Sequence, residues 1–437
     1  MLTKFWTVAA ILAAAAACGG GKGETSALSV EPAMLSFDTA AQATLPVQVK
    51  SSGKWTVSVG DSWCSADVRS GSGSKTVNIS VQANSETKAR STEVTFSGSS
   101  KPATLTVTQA AKTVTPVTVA FAKGADISWV TEMEDAGYKF ASAGGTQKEC
   151  TALMKDLGFN SIRLRVWVNP SAKYNARADV VAKAKRAADL GLAVMIDFHY
   201  SDTWADPTHQ AIPSAWSSHT YTQMLTDVTN HTKDVLGALK SAGVTPVWVQ
   251  IGNEVSNGLL WNVGKADANP AQYAGLIDAG CKAAKSVFPN VLTVVHLDNG
   301  FDQSLYNWNL GILKTNNVDY DLVGMSLYPM SAVEWGKTST AEEAITKCMA
   351  NIDYVKTTFG RQTIITETGV KVGQVETGKS LMSSLLTQAK AKADCLGVMY
   401  WEPEAPSGYN GGYDMGAFTA TSAKVCSPTA ILDPFAN

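Results

Sequence analysis

The chain has 437 residues, 45% hydrophobic and 17% charged, with a formal net charge of −2. That length makes more than one domain the expectation, the composition is that of a globular protein, and the near-neutral balance argues against nucleic acid or an anionic membrane surface as a partner. Twelve each of Trp, Tyr and Phe supply many flat apolar faces.

The chain opens with MLTKFWTVAAILAAAAAC. Lys4 gives a charged start, and residues 5 to 17 form an apolar run too short to span a bilayer. Residues 1–17 therefore read as an export signal. The run ends in AAAC, which resembles a bacterial lipobox with Cys18 as the lipidated residue; a signal cut after an alanine is the alternative. Residues 18–26, including GGGKGETS, read as a flexible tether. The expectation is an exported protein on the surface of the outer membrane, touching the membrane only through its lipid. The other six cysteines, Cys64, Cys150, Cys281, Cys348, Cys395 and Cys426, have no zinc-ribbon or C-x-x-C spacing. Most are expected to be small buried residues, with room for one disulfide.

Residues 27–112 alternate with period two in LSV, LPVQV, WTVSV, VNISV, EVTF and TLTVTQ, separated by Gly, Ser and Asn. Short alternating runs at this spacing predict an all-β, immunoglobulin-like sandwich. LSVEPAMLSF, Trp55, Trp63, SGSGSKTVNISVQAN, Arg90 and TLTVTQAA resemble a BACON domain, a module of exported glycan-degrading proteins. Trp55 and Trp63 are expected to pack rather than to bind sugar, and the module to act as a spacer. Residues 113–123 read as a linker.

From residue 124 to 437 apolar strands alternate with helical stretches such as ADVVAKAKRAADLG. Strands are predicted at 125–129, 161–167, 193–199, 246–252, 292–297, 322–329, 363–368 and 397–403. Eight strands with about seven helices between them predict an α/β fold, the (β/α)8 TIM barrel, with a doubly wound sheet as the alternative. No Gly-rich phosphate loop follows any strand.

Barrel chemistry sits at the C-terminal strand ends, and these ends are polar. They carry Arg165 and Trp167; Asp197, His199 and Tyr200; Asn253 and Glu254; His296, Asp298 and Asn299; Tyr328; Glu367; and Trp401 with Glu402. QIGNEVSNG and IITETG place Glu254 after the fourth strand and Glu367 after the seventh, on opposite sides of the mouth. Two opposed carboxyls are what retaining glycoside hydrolysis requires, one protonated and one ionised. Asn253 is placed to meet a sugar hydroxyl, and Arg165 to keep Glu367 ionised.

GADISW, RLRVWVNP, DFHYSDTWADPTHQAIPSAW, GNEVSNGLLWNVGK, SLYP, ETG and YWEP, spread over roughly residues 120 to 405, resemble glycoside hydrolase family 53 of clan A, the endo-β-1,4-galactanases. The resemblance implies retaining cleavage of internal bonds in β-1,4-galactan, the side chain of pectic type I arabinogalactan. It makes Glu254 the acid/base and Glu367 the nucleophile. Three positions depart from the family: MSAVEW after SLYP, Glu404 and Ala405 after YWEP, and Asn262 with Val263 after GLLW. They are expected to line the cleft ends, which leaves product length open. Some bacterial members hold calcium after strand seven, but VKVGQVETGKS lacks closely spaced Asp and Asn, so no cofactor is expected there; SGYNGGYDMGAF after strand eight leaves calcium open.

DFHYSDTWADP, residues 197–207, reads as a sugar-binding edge rather than a metal site: His199 near the centre, Asp202 for hydroxyls, Trp204 for stacking, Asp206 and Pro207 shaping the loop. Arg165, Asn253, His296, Asp298, Tyr328 and Trp401 complete the expected substrate contacts, and a monomer is expected. Two alternatives stand beside the galactanase: another clan A endo-glycanase, such as a mannanase or xylanase, and a non-catalytic glycan-capturing lipoprotein.

Overall fold

A computed structural model describes residues 28–37, 42–84, 88–99, 101–111 and 117–436. The signal, Cys18 and the tether lie outside these residues, as does part of the linker. The chain divides into two compact units, Met1–Thr113 and Val114–Asn437.

The first unit is a sandwich of two sheets. One contains, in order, Ser29–Glu31, Ala43–Lys50, Lys75–Val81 and Cys64–Ala66; the other Met34–Phe37, Ala103–Gln109, Arg90–Gly98, Lys54–Val59 and Ser70–Ser72. The period of two sends alternate residues inward, so Val77, Ile79 and Val81 from one sheet meet Val94, Phe96, Leu105 and Val107 from the other. Trp55 is buried in this core, edge-on to Phe96, and its indole N–H donates to the Gly73 carbonyl at 2.8 Å. Trp63 is half-buried, with the Arg90 guanidinium 4.4 Å above its ring. Both tryptophans pack, Trp55 from its inward place in the alternation and Trp63 from the turn before Cys64–Ala66.

The second unit is a closed barrel of eight parallel strands: β1 (Ala122–Asp126), β2 (Ser161–Val166), β3 (Ala193–Phe198), β4 (Trp248–Ile251), β5 (Leu292–Leu297), β6 (Leu322–Leu327), β7 (Gln362–Thr368) and β8 (Cys395–Trp401). β1 starts inside the stretch read as linker and ends three residues before the predicted end. Asp126 explains the difference: its Oδ1 accepts from the Ser128 amide (3.0 Å) and hydroxyl (2.5 Å), closing a turn that stops the strand. Helices cover the outside. Ala341–Phe359, for example, is capped at its start by Thr340, whose Oγ1 accepts from the Glu343 amide at 3.1 Å. Gly360, at φ +71°, ends it.

Strand periodicity builds the barrel interior in layers. At the bottom, Met195, Trp248, Val294 and Met399 join an apolar plug with Ala122, Leu322 and Ile364. Two residues further along the same faces stand Asp197, Gln250 and His296, with Ser326 at the same level on β6; all are buried. The apolar layer seals the floor, and the polar layer forms the floor of the mouth. The six cysteines from Cys64 onward are all buried and unpaired.

Candidate active site

Four non-glycine residues just past strand ends adopt left-handed backbone: Tyr200 (φ +49°), Glu254 (+45°), Asn299 (+46°) and Glu402 (+44°). Such conformations cost of order 1 kcal/mol each and gather at functional sites. The turn at Glu254 breaks β4 immediately into the short 3-10 turn Val255–Asn257.

Arg163 on β2 is the hub of the polar layer. Its guanidinium donates to Asp126 Oδ2 (2.7 Å), Asp197 Oδ2 (2.9 Å), Asn253 Oδ1 (2.9 Å) and Gln250 Oε1 (3.1 Å), and lies 2.9 Å from Glu367 Oε1. The other oxygen of Glu367 accepts from the Tyr328 hydroxyl at 3.1 Å. Burial pushes the Glu367 carboxyl up to about 7, against the attraction of Arg163, with Asp197 and Asp126 adding repulsion. The partner expected for Glu367 was Arg165, and this is corrected. Arg163 and Arg165 share the inward face of β2, but Arg165 stands one step higher. There it pairs with Glu402 and lies 4.2 Å from the Trp204 ring centre. Trp129 and Trp167 flank it. Arg165 is 1% exposed, so it supports the aromatic rim instead of touching substrate.

Glu254 faces a different environment. Ser326 donates to its Oε1 at 2.5 Å. The Glu254 amide donates to His296 Nδ1 at 3.3 Å, which places the imidazole proton on Nε2, 2.9 Å from Ser326 Oγ. Burial, and then Arg163, hold His296 well below its ordinary range, so this ring is neutral. Burial, with repulsion from Glu367 and Asp298, holds the Glu254 carboxyl well above the usual carboxylate range. His296 was expected to meet substrate; it is fully buried among Ser326, the Glu254 backbone and the Gln250 and Asn253 side chains.

Both carboxyls open into one cleft of about 490 Å³. Of the expected contacts, His199, Trp204, Asn253, Asp298, Tyr328 and Trp401 line it. Phe301 and Met415 line it too and were not anticipated; Trp335, in the MSAVEW run expected at a cleft end, also lines it. Asn253 Nδ2 donates to the Ala205 carbonyl at 2.8 Å, leaving its second N–H for a ligand. Asp298 binds the Ser256 hydroxyl. Glu404 and Ala405, expected at a cleft end, are fully buried and do not line it; burial, with Glu402 beside it, holds the Glu404 carboxyl well above its usual range and neutral.

The aspartates of DFHYSDTWADP divide three ways. Asp197 belongs to Arg163. Asp202, expected on sugar hydroxyls, instead pins the loop: Oδ1 accepts from the Asn169 amide (3.0 Å), Oδ2 from the Ser214 amide and hydroxyl (both 2.8 Å). Its carboxylate is thus consumed by the protein. Asp206 closes a turn by accepting from the Thr208 and His209 amides. His199 Nδ1 accepts from the Ala205 amide (3.1 Å) and the Trp167 indole (3.2 Å), so its Nε2–H points to Asp197 at 3.0 Å. The loop thereby presents Trp204, which is edge-on to both Trp129 and Trp401. Among the described residues no group of three His, Cys, Asp or Glu side chains is placed to hold a metal ion.

A closed parallel barrel with two opposed glutamates in one aromatic-rimmed cleft defines a glycoside hydrolase. The chain belongs to glycosyl hydrolase family 53, whose family model matches residues 122–427, and residues 53–110 match the BACON model, described as a putative N-terminal binding domain. It is 31% identical over 305 residues to an arabinogalactan endo-beta-1,4-galactanase of Thermothelomyces thermophilus, covering 64% of this chain and 89% of that protein. It is 32% identical over 307 residues to arabinogalactan endo-beta-1,4-galactanase A of Emericella nidulans, covering 64% and 84%. Among solved structures, a fungal β-1,4-galactanase superposes with a TM-score of 0.64 at 28% identity, covering 71% of this chain and 98% of that one. A family 53 catalytic domain from Ignisphaera aggregans gives 0.64 at 26% identity, covering 74% and 98%.

Proposed function

We propose that the protein is an arabinogalactan endo-β-1,4-galactanase that hydrolyses internal β-1,4-galactosidic bonds of type I galactan with retention. Glu367 attacks the anomeric carbon while Glu254 gives its proton to the leaving oxygen. Glu254 then takes a proton from water, which displaces Glu367 from the sugar. The observation that carries this reading is the asymmetry of the two carboxyls in one cleft. Glu367 lies 2.9 Å from a buried guanidinium, whereas Glu254 rests on a serine hydroxyl and is repelled by Glu367 and Asp298. That is the separation of proton affinities that an acid and a nucleophile need. Family membership and the galactanases among its relatives supply the substrate class. His199, Trp204, Asn253, Asp298, Tyr328 and Trp401 are the proposed sugar contacts. The test is digestion of linear galactan beside mannan and xylan: shortened galactan chains of several lengths are expected, and sugars released from mannan or xylan alone would overturn the proposal.

The proposal also places the enzyme, as a monomer, on the outer-membrane surface through a lipid on Cys18. It rests on the segment MLTKFWTVAAILAAAAAC. Among the described residues no helix is long and apolar enough to cross a membrane. Cys18→Ser should move the protein from the membrane fraction to the soluble fraction; an unchanged distribution would remove the anchor.

A further inference from the structure

Trp335 is 56% exposed, yet it lines the same cleft as Glu254 and Glu367. It follows the short helix Pro329–Glu334 that replaces a plain strand-to-helix loop after β6. Its position is fixed by backbone: its amide donates to the Ser331 carbonyl at 2.8 Å, and Gly336 turns the chain away at φ +66°. An indole held at a cleft mouth with over half its surface in water is unsatisfied apolar area awaiting a ligand.

The direction of the two carboxyls says which sugar it would meet. Glu367 Oε1 is drawn to Arg163 on β2, among partners from β1, β3 and β4, while Tyr328 holds its other oxygen. Glu254 Oε1 is drawn the other way, to Ser326 on β6. Of the lining residues, Asp298 and Phe301 follow β5 and Trp335 follows β6, the strand of Ser326, whereas Trp204 follows β3 and Trp401 ends β8. That strand order puts the anomeric carbon toward Trp204 and Trp401, and the leaving-group arm toward Trp335.

Resting on the galactan reading, we infer that Trp335 is the stacking platform for the leaving-group side of the chain, the sugars released with the first bond cleavage. A galactose ring turns one apolar C–H face outward, and the indole covers it as water is released. Trp335 thus sets affinity for polymer and product length without touching the reacting atoms.

The experiment compares wild type, Trp335→Ala and Trp335→Phe on linear galactan and on nitrophenyl galactobioside, whose leaving group places no sugar in this arm. For Trp335→Ala, kcat/KM on galactan should fall roughly tenfold, mainly through KM, as for loss of an aromatic contact residue. The aryl substrate, which offers only its nitrophenyl ring to this arm, should lose much less, and Trp335→Phe should retain most of the affinity. Equal losses on both substrates, or none on galactan, overturn the assignment. A wild type that leaves galactan intact while cleaving another glycan overturns the galactan reading itself, and this inference with it.

Discussion

Arg163 Nη2 lies 2.9 Å from Glu367 Oε1, while Glu254, in the same cleft, has no ion-pair partner among the described residues. One guanidinium therefore separates two carboxyls that burial would otherwise treat alike. Burial raises both. Arg163 lowers Glu367 again, whereas Glu254 gains only repulsion from its neighbours and a modest lowering from Ser326. The first proton to leave the pair comes from Glu367.

The pH profile follows from that order. The working enzyme needs Glu367 ionised and Glu254 protonated. As pH rises, kcat/KM climbs while Glu367, pushed up to about 7, loses its proton. It falls again once the higher-lying Glu254 ionises. A bell on galactan with its optimum above about 7 is expected; an optimum deep in the ordinary carboxylate range would contradict the burial of this pair.

Arg163→Lys keeps one positive charge but cannot span Asp126, Asp197 and Glu367 with a single ammonium. Loss of the fork should lower kcat on the order of a hundredfold. It should also move the ascending limb to higher pH, because Glu367 loses the group that lowers it. The paired measurements are the pH profile and the circular dichroism spectrum; a native fold with an unmoved limb would remove Arg163 from this role.

Ser326→Ala removes the hydroxyl 2.5 Å from Glu254 Oε1 and disconnects it from His296. A lost hydrogen bond to a charged-state acceptor predicts a fall in kcat of roughly tenfold or somewhat more. The descending limb should move upward, since Ser326 lowers the Glu254 carboxyl. KM should change little. An aryl galactoside with an acidic leaving group needs less proton help and should show a smaller loss, which separates positioning of the acid from general damage.

Asp202→Ala distinguishes loop anchoring from sugar binding. Three donors, the Asn169 amide and the Ser214 amide and hydroxyl, lose their acceptor. Because Asp202 is half-buried, a stability loss of about 1–3 kcal/mol by urea unfolding is expected. KM on galactan should stay near wild type. A raised KM with unchanged stability would return Asp202 to the substrate.

The barrel and its two glutamates were legible because strand alternation and helix periodicity are local signals, and because the polar residues gather at strand ends. The choice between Arg163 and Arg165 was not legible. Both lie on one face of SIRLRVW, and only barrel stagger decides which level meets Glu367. Strand register alone would mislead, since Arg163 lies opposite Met195 and Arg165 opposite Asp197, yet it is Arg163 that bonds Asp197. Ser326 lay unremarked inside SLYP, because a serine acquires this role only when β6 is set against Glu254, 72 positions earlier in the chain. Asp202 misled for a similar reason: the loop folds back to bring Ser214 to it, 12 residues on. Trp335 was legible only as part of MSAVEW, the run where the chain leaves the family pattern and which was expected at a cleft end; no motif gave it a contact of its own.

The most direct test of the account is to trap the covalent intermediate. A fluorinated galactobioside with a dinitrophenolate leaving group slows release of the sugar from the nucleophile, and peptide mass mapping then finds where it is attached. The account predicts one galactobiosyl unit per chain, on the peptide containing Glu367, and none in Glu367→Gln. Attachment at Glu254, or hydrolysis of galactan that yields the inverted α-anomer with no trapped species, would contradict it.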